Sequence, residues 1–295
     1  MISRRDFLTT AAAAAALGAA KPAAAIEPIK RVGPARMKLS LAAYSFRDAL
    51  TAKAAGMTLE NFVNEASKWD LDAVEPTSYY FPEPATPEYC HRLRRHALLQ
   101  GLSISGTAIR NTFTHPPGPA LDREIAHVKK WIDLALHLGA PTIRIFAGDL
   151  QKGTTEEQAR QWCIDAIHQC CEYAKPRGII LALENHGGIV STVEQMLSIV
   201  KAVKSDWFGV NWDSGNFRSA DPYGDLAKLA PYAVVAQVKV QISPNGKSQK
   251  ADLGRIVGIL RSAGYRGYLA LEHEAKEDPF ATVPQYLSEL RKHIS

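Results

Sequence analysis

The sequence predicts an α/β fold, a single-domain (β/α)8 barrel (TIM barrel) that follows an N-terminal signal segment. Three observations predict it. Apolar segments alternate with helical segments eight times, several apolar segments end in an acidic or amide residue, and 295 residues suit one large barrel. The clearest apolar segment, 178–183, leads into Glu184, Asn185 and His186. An apolar run closed by polar residues and glycine is typical of a strand buried on both faces.

The eight units follow one another along the chain with no sign of a second domain. We expect the strands at residues 38–44, 72–76, 102–107, 142–146, 179–184, 208–213, 234–240 and 268–272. We expect seven of the helices at residues 58–69, 87–100, 121–138, 192–203, 222–229, 252–263 and 283–293. The remaining helix, the fourth, begins around 154–157, where acidic residues suit the helix dipole, and ends at 176–178. Thr58 is expected to cap the first helix.

The first 25 residues carry the pattern of a twin-arginine export signal. Arg4 and Arg5 precede Phe7 and Leu8, an alanine-rich run follows, and small residues at 23–25 offer a cleavage site. The pattern predicts a periplasmic protein with no membrane association after processing. Residues 26–37 are expected to form a linker, and residues 38–295 the barrel.

Composition and charge narrow the class of protein. The chain is 46% hydrophobic and 22% charged, as expected for a large apolar core. A net charge of +5 is too mild to indicate binding to nucleic acid or to anionic lipid. The spacing of the four cysteines favours buried free thiols over disulfides or a zinc site. A homo-oligomer is neither indicated nor excluded.

Strand alternation directs several polar residues to the inside of the barrel at one rim. The acids at this rim are Glu184, Asp213 and Glu272, and Gln237 and Lys239 share the inward face of the seventh strand. Three carboxylates at one rim repel one another unless they are neutralised. Either a divalent cation with oxygen ligands does so, or the acids form salt bridges with Arg144, Lys239 and Arg110.

Three motifs carry a resemblance to a known family: Leu183-Glu184-Asn185-His186, the segment 211–216 that contains Asp213, and Leu271-Glu272-His273-Glu274. With them the chain resembles the xylose-isomerase-like TIM barrels, the superfamily of sugar phosphate isomerases and epimerases, over about residues 38–293. The resemblance implies one divalent metal, with Glu184 and Glu272 also acting as acid and base. It implies the metal ligands Glu184, Asp213, Gln237 and Glu272. The oxygen donors, with Gln237 in place of an imidazole, favour Mn²⁺ or Mg²⁺. Gln237 and Asn216 stand where the family often has histidine.

The resemblance and the polar rim together predict a metal-dependent sugar isomerase or epimerase. It would act on a free or keto sugar through an enediolate. A dehydratase or hydratase (a lyase) acting on a keto-sugar or inosose would use the same site, and a non-catalytic sugar-binding barrel is a further alternative. The expected partner is a small carbohydrate. The predicted substrate contacts are His186, Lys239, Arg144, Asn216, Glu75 and His115, with Tyr44 and Phe46 as stacking aromatics.

Overall fold

The computed structural model describes residues 26–52 and 56–294. The predicted signal, 1–25, lies outside the described residues. Among the described residues, no helix combines the length and apolar character needed to cross a membrane.

The described residues form the predicted barrel of parallel strands surrounded by helices. The barrel strands are β1 (Arg36–Ala42), β2 (Ala73–Glu75), β3 (Ser103–Ile104), β4 (Thr107–Ala108), β5 (Thr142–Ile145), β6 (Ile180–Glu184), β7 (Phe208–Asp213), β8 (Ala233–Lys239) and β11 (Arg266–Glu272). They hydrogen-bond in the order β3-β2-β1-β11-β8-β7-β6-β5-β4. A parallel bridge between Thr77, just after β2, and Ala108 of β4 closes the barrel. The (β/α)8 prediction is confirmed.

The helices are α1 (Arg47–Thr51), α2 (Leu59–Ser67), α3 (Pro87–Leu99), α4 (Pro119–Leu138), α5 (Glu156–Ala174), α6 (Val193–Ala202), α7 (Pro222–Leu229), α8 (Leu253–Ser262) and α9 (Pro279–Ile294). Thr58, Thr155 and Thr192 each accept a hydrogen bond from the backbone three residues later, at the starts of α2, α5 and α6. These contacts satisfy amide groups that the helix itself leaves unpaired.

The third predicted strand is the one that differs most from expectation. It is divided into β3, which pairs with β2, and β4, which pairs with β5. Between them lies Gly106, where a Cβ atom would come within 2.5 Å of Thr142 Oγ1. The close approach of backbone to side chain at this point requires glycine.

Two further differences concern the chain after β8 and the last helix. A short hairpin of β9 (Gln241–Ile242) and β10 (Gln249–Lys250) follows β8 and was not predicted. Helix α9 begins at Pro279, before the predicted residue 283, and contains Pro284.

The strands separate a polar interior from an apolar exterior. Ser40 Oγ lies 2.7 Å from Ser105 Oγ inside the barrel. On the opposite face Trp212 is fully buried and donates its indole N–H to the Leu226 carbonyl of α7. The four cysteines are buried free thiols, as predicted. The alternation therefore fixes which strand residues face the barrel interior.

The segment before β1 crosses the end of the barrel where the strands begin. The Ile29 amide donates to the Pro231 carbonyl, and Arg31 donates to the Ala233 carbonyl at the start of β8. Arg266, at the start of β11, donates to the Pro34 carbonyl. The segment is therefore held against the end opposite to the carboxyl ends of the strands.

Candidate active site

A cavity of about 460 Å³ opens at the carboxyl ends of the barrel strands, and we call it the cleft. Four of the predicted site residues line it: Arg144 from β5, Glu184 and His186 from the end of β6, and Glu272 from the end of β11. In α/β barrels this is the end where loops and strand termini build sites. The position and the polar lining identify the cleft as the candidate active site.

Glu184 is buried and fully partnered at the floor of the cleft. Its Oε2 lies 3.1 Å from Arg144 Nε, and its Oε1 accepts a hydrogen bond of 2.9 Å from Asn216 Nδ2. Burial raises the pKa of Glu184 to about 7, although the Arg144 guanidinium opposes that shift. Near neutral pH Glu184 therefore exchanges a proton readily.

Glu272 lies beside a buried ammonium group instead. Lys239 Nζ is 3.0 Å from Glu272 Oε1, 2.7 Å from Glu274 Oε2 and 3.5 Å from Asp213 Oδ2. Burial alone would raise the pKa of Glu272, but Lys239, with help from Arg144, holds it below the usual value. Burial would lower the pKa of Lys239, but the three carboxylates raise it well above the usual value. Glu272 and Lys239 are therefore both charged at neutral pH.

Asp213 and Gln237 lie beneath the cleft and are not part of its lining. Asp213 Oδ1 accepts from the Gly215 amide, and burial raises the pKa of Asp213 well above its usual value, against the opposing effect of Lys239. Gln237 Nε2 donates to Glu75 Oε1 at 2.6 Å, and its Oε1 accepts from Asn211 Nδ2 at 2.7 Å. From β8, the Gln237 side chain thus connects Glu75 of β2 with Asn211 of β7.

Aromatic rings form one wall of the cleft. The His186 ring packs on Phe146 with centroids 4.3 Å apart, and Arg144 lies 4.0 Å above the same Phe146 ring. Burial, together with Arg144 and Lys239, lowers the pKa of His186, so its imidazole is neutral at neutral pH. Tyr44 also lines the cleft, as expected. Phe46 does not, because it is buried against Phe62, Trp69 and Phe280.

The remaining predicted substrate contacts are not brought to the cleft. Lys239 and Asn216 lie behind its glutamates and line a smaller cavity of about 130 Å³. Glu75 is buried beneath Gln237. His115 is not among the residues that line the cleft.

The sequence analysis gave no metal or substrate role to Glu274, Tyr79 or Arg110, although all three line the cleft. Glu274 follows Glu272 by two residues, so strand alternation was the signal that could have found it. Arg110 lies over the Tyr79 ring, 5.1 Å from its centroid, instead of pairing with the rim acids. Tyr79 lies in a loop after β2, where no periodic pattern indicates direction.

The four residues predicted as metal ligands do not fit a divalent ion in this arrangement. Glu184 pairs with Arg144, Glu272 with Lys239, and both terminal atoms of Gln237 have protein partners. Asp213 Oδ2 is buried without a hydrogen bond, and Lys239 Nζ lies 3.5 Å from it. Among the described residues, no group of three or more histidine, cysteine or acidic side chains is arranged to hold a metal. The salt-bridged rim, the alternative left open by the sequence, describes the contacts of Arg144 and Lys239.

Comparison with known proteins agrees with the fold. A family model described as "Xylose isomerase-like TIM barrel" matches residues 63–293. No curated protein matches the chain. Similar solved structures include an L-ribulose 3-epimerase (19% identity, TM-score 0.66, 88% of this chain and 92% of the other). A D-psicose 3-epimerase from Clostridium cellulolyticum H10 has 12% identity and a TM-score of 0.67 over 88% of this chain and all of the other (100%).

An IolI protein with a bound zinc atom is similar at 20% identity, with a TM-score of 0.68 over 87% of this chain and 96% of the other. At these identities the likeness concerns the fold. The family match covers most of the barrel, from α2 to the last helix. The chain therefore belongs to the xylose isomerase-like TIM barrel family.

Proposed function

We propose that the protein is a sugar isomerase or epimerase that moves a proton on a small free or keto sugar through an enediolate. The observation that carries the proposal is a pair of buried glutamates, Glu184 and Glu272, that face one cleft from β6 and β11. Two strands, β7 and β8, separate β6 from β11 in the barrel. A substrate in the cleft would therefore lie between the two carboxyl groups.

The different surroundings of the two glutamates suit different roles. Glu272 is held ionised, so it can accept the proton on the carbon next to the substrate carbonyl. Glu184, with a pKa of about 7, is protonated in a large fraction of molecules and can return a proton. Two carboxyl groups whose pKa values are pushed apart are a common sign of acid and base roles.

The reaction follows from this assignment. The C–H bond breaks, its proton passes to Glu272, and its electron pair forms the carbon–carbon double bond of the enediolate. The carbonyl oxygen becomes negative, and Arg144, which lines the cleft, stabilises that charge. Glu184 then delivers its proton. Delivery to the opposite face of the same carbon re-forms the original carbonyl and gives the epimer. Delivery to the former carbonyl carbon gives the isomer: the neighbouring hydroxyl proton passes to the original carbonyl oxygen, and the neighbouring carbon becomes the new carbonyl. Exchange with solvent then removes the proton from Glu272 and returns one to Glu184. His186, neutral and on the wall, is placed to bind a hydroxyl.

The names of the similar structures support this class of reaction, since two of them are ketose 3-epimerases. The cleft of about 460 Å³ suits a small carbohydrate. We further propose that residues 1–25 direct the protein to the periplasm.

The test is hydrogen exchange in D₂O with a panel of ketoses and keto-glycosides, read by mass spectrometry and NMR. We expect the wild type to place deuterium on the carbon next to the carbonyl and to form an isomer of unchanged formula. Glu184→Gln and Glu272→Gln should each slow turnover by about two to four orders of magnitude, the usual contribution of a positioned acid or base.

A matched control is Glu277→Gln, which changes an exposed glutamate just after the same strand and should leave the exchange rate unaltered. Circular dichroism checks that each variant is folded. If Glu184→Gln and Glu272→Gln both exchange deuterium at the wild-type rate, the two glutamates are not the acid and base. A product lighter by one water would show the lyase alternative, and binding of sugars without exchange would show the binding protein.

A further inference from the structure

The carboxylates at the rim surround a cation that belongs to the chain itself. Lys239 Nζ has Glu272, Glu274 and Asp213 within 3.5 Å. A lysine ammonium carries three N–H donors and no acceptor. Lys239 Nζ donates hydrogen bonds to Glu272 Oε1 and Glu274 Oε2, and its 3.5 Å contact with Asp213 Oδ2 is an ion pair.

The position of this ammonium is fixed by the backbone around it. The Lys239 amide donates to Ser214 Oγ at 2.8 Å. At Gly215 an added Cβ atom would lie 2.7 Å from Lys239 Cδ and 2.9 Å from its Cβ. The stem of the lysine therefore lies directly on the backbone of Gly215, and a larger residue there would displace it.

The other predicted metal donors are committed elsewhere. Glu184 contacts Arg144 and Asn216, and the amide of Gln237 bridges Asn211 and Glu75. An oxygen-liganded divalent ion needs several free oxygens. A dication placed among the rim acids would also lie next to a buried ammonium of the same sign, which is unfavourable in a poorly solvated site.

We propose that the Lys239 ammonium takes the place of the divalent cation among the rim carboxylates, so that the protein does not bind a divalent metal at this site. Lys239 then acts as a positioning residue. It lies behind Glu272 and Glu274, outside the lining of the cleft, and its ammonium binds both of their carboxylates. The positioning role of Lys239 rests on the proposed isomerase function, but the metal-binding test needs no substrate.

The experiment measures Mn²⁺ binding to the purified protein without substrate, by electron paramagnetic resonance and by thermal shift. We expect the wild type to bind no Mn²⁺ at the rim up to millimolar concentration and to keep its melting temperature in the presence of a chelator. Lys239→Met, which keeps the volume and removes the charge, should bind Mn²⁺ at least about tenfold more tightly than the wild type. The metal should also raise its melting temperature.

The matched control is Glu274→Gln, which removes one partner of Lys239 but keeps the ammonium. It should bind no Mn²⁺. Tight binding of one Mn²⁺ by the wild type would overturn the proposal, and so would a folded Lys239→Met protein that gains no affinity. If Lys239→Met unfolds without metal, refolding driven by Mn²⁺ supports the proposal, and no refolding with Mn²⁺ counts against it.

The failures of the two proposals are distinguishable. If the wild type binds Mn²⁺ and exchanges deuterium, the isomerase proposal stands and the proposal that Lys239 replaces the metal fails. If the wild type neither binds Mn²⁺ nor exchanges deuterium with any sugar, the proposal that Lys239 replaces the metal stands and the isomerase proposal fails.

Discussion

At the scale of single residues, the interior holds more acids than a simple core would tolerate. Glu75 illustrates the balance: it is buried at 1% exposure and takes part in a hydrogen bond of 2.6 Å with Gln237. Burial raises the pKa of Glu75 from 4.5 to about 7, and the bond from Gln237 opposes the rise. A buried acid in this state affects stability in a pH-dependent way.

The direction in which Glu75 changes stability with pH follows from its raised pKa in the folded protein. Between about pH 4.5 and pH 7 the folded protein keeps a proton on Glu75 that the unfolded chain has lost. The stabilisation is thus complete below about pH 4.5 and is lost as the pH rises through about 7. The span corresponds to roughly 3 kcal/mol.

Glu75→Gln should therefore become more favourable relative to the wild type as the pH rises. We expect the difference in free energy of unfolding between variant and wild type, from urea titrations, to shift towards the variant by up to roughly 3 kcal/mol between about pH 5 and about pH 8. Glu194→Gln, at an exposed position on α6, is the control and should show a nearly constant difference. A constant difference for Glu75→Gln would contradict the buried-acid interpretation.

At the scale of elements, the inward or outward direction of strand residues was predictable, but their partners were not. Alternation of side chains brought Glu184, Asp213 and Glu272 to one rim, as the structure shows. Whether Lys239 or a metal neutralises them depends on contacts between separate strands, which a periodic pattern does not contain. The same holds for Gln237, whose amide bridges Asn211 and Glu75 across strands.

The division of the third strand could not be predicted from the sequence for a related reason. A run from 102 to 107 has the composition of one strand, yet the chain shifts at Gly106 from pairing with β2 to pairing with β5. At this point the Gly106 backbone lies against Thr142, a residue far along the chain. Local propensity does not report such contacts.

Gly106→Ala should destabilise the barrel, because its Cβ would collide with Thr142 Oγ1. We expect a loss of about 1–3 kcal/mol in the free energy of unfolding, the usual cost of overpacking. Gly258→Ala is the matched control, since it lies within α8 with no heavy atom within 4 Å of the new Cβ. It should be neutral or stabilising by up to about 1 kcal/mol. Equal effects of the two changes would refute the contact argument.

At the scale of the whole molecule, the barrel and its cleft could be predicted because the eight units repeat one pattern and each ends at the same rim. The linker was predicted only as a segment without regular structure. In the structure Arg31 lies 5.3 Å over the Tyr265 ring and donates to the Ala233 carbonyl, so the segment is packed in place. Isolated residues such as Arg31 carry no periodic signal for that role.

Export is a property of the whole chain and is tested on the whole chain. Changing Arg4 and Arg5 together to lysine should keep the protein in the cytoplasm, because the paired arginines are the recognised feature of the signal. Cell fractionation and immunoblotting measure the outcome. Normal appearance of the double variant in the periplasm would refute the prediction. The control replaces Lys152 and Lys175 by arginine, which preserves charge outside the signal and should leave export unchanged.

The path of residues 26–35 across the closed end of the barrel has a practical consequence. Ile29 and Arg31 are bonded near Pro231 and Ala233, at the end of the molecule farthest from the cleft. A carrier protein fused ahead of residue 26, or a bead coupled there, would therefore adjoin the end of the barrel away from the cleft. Immobilised by this route, the protein would present its open mouth to the surrounding solution.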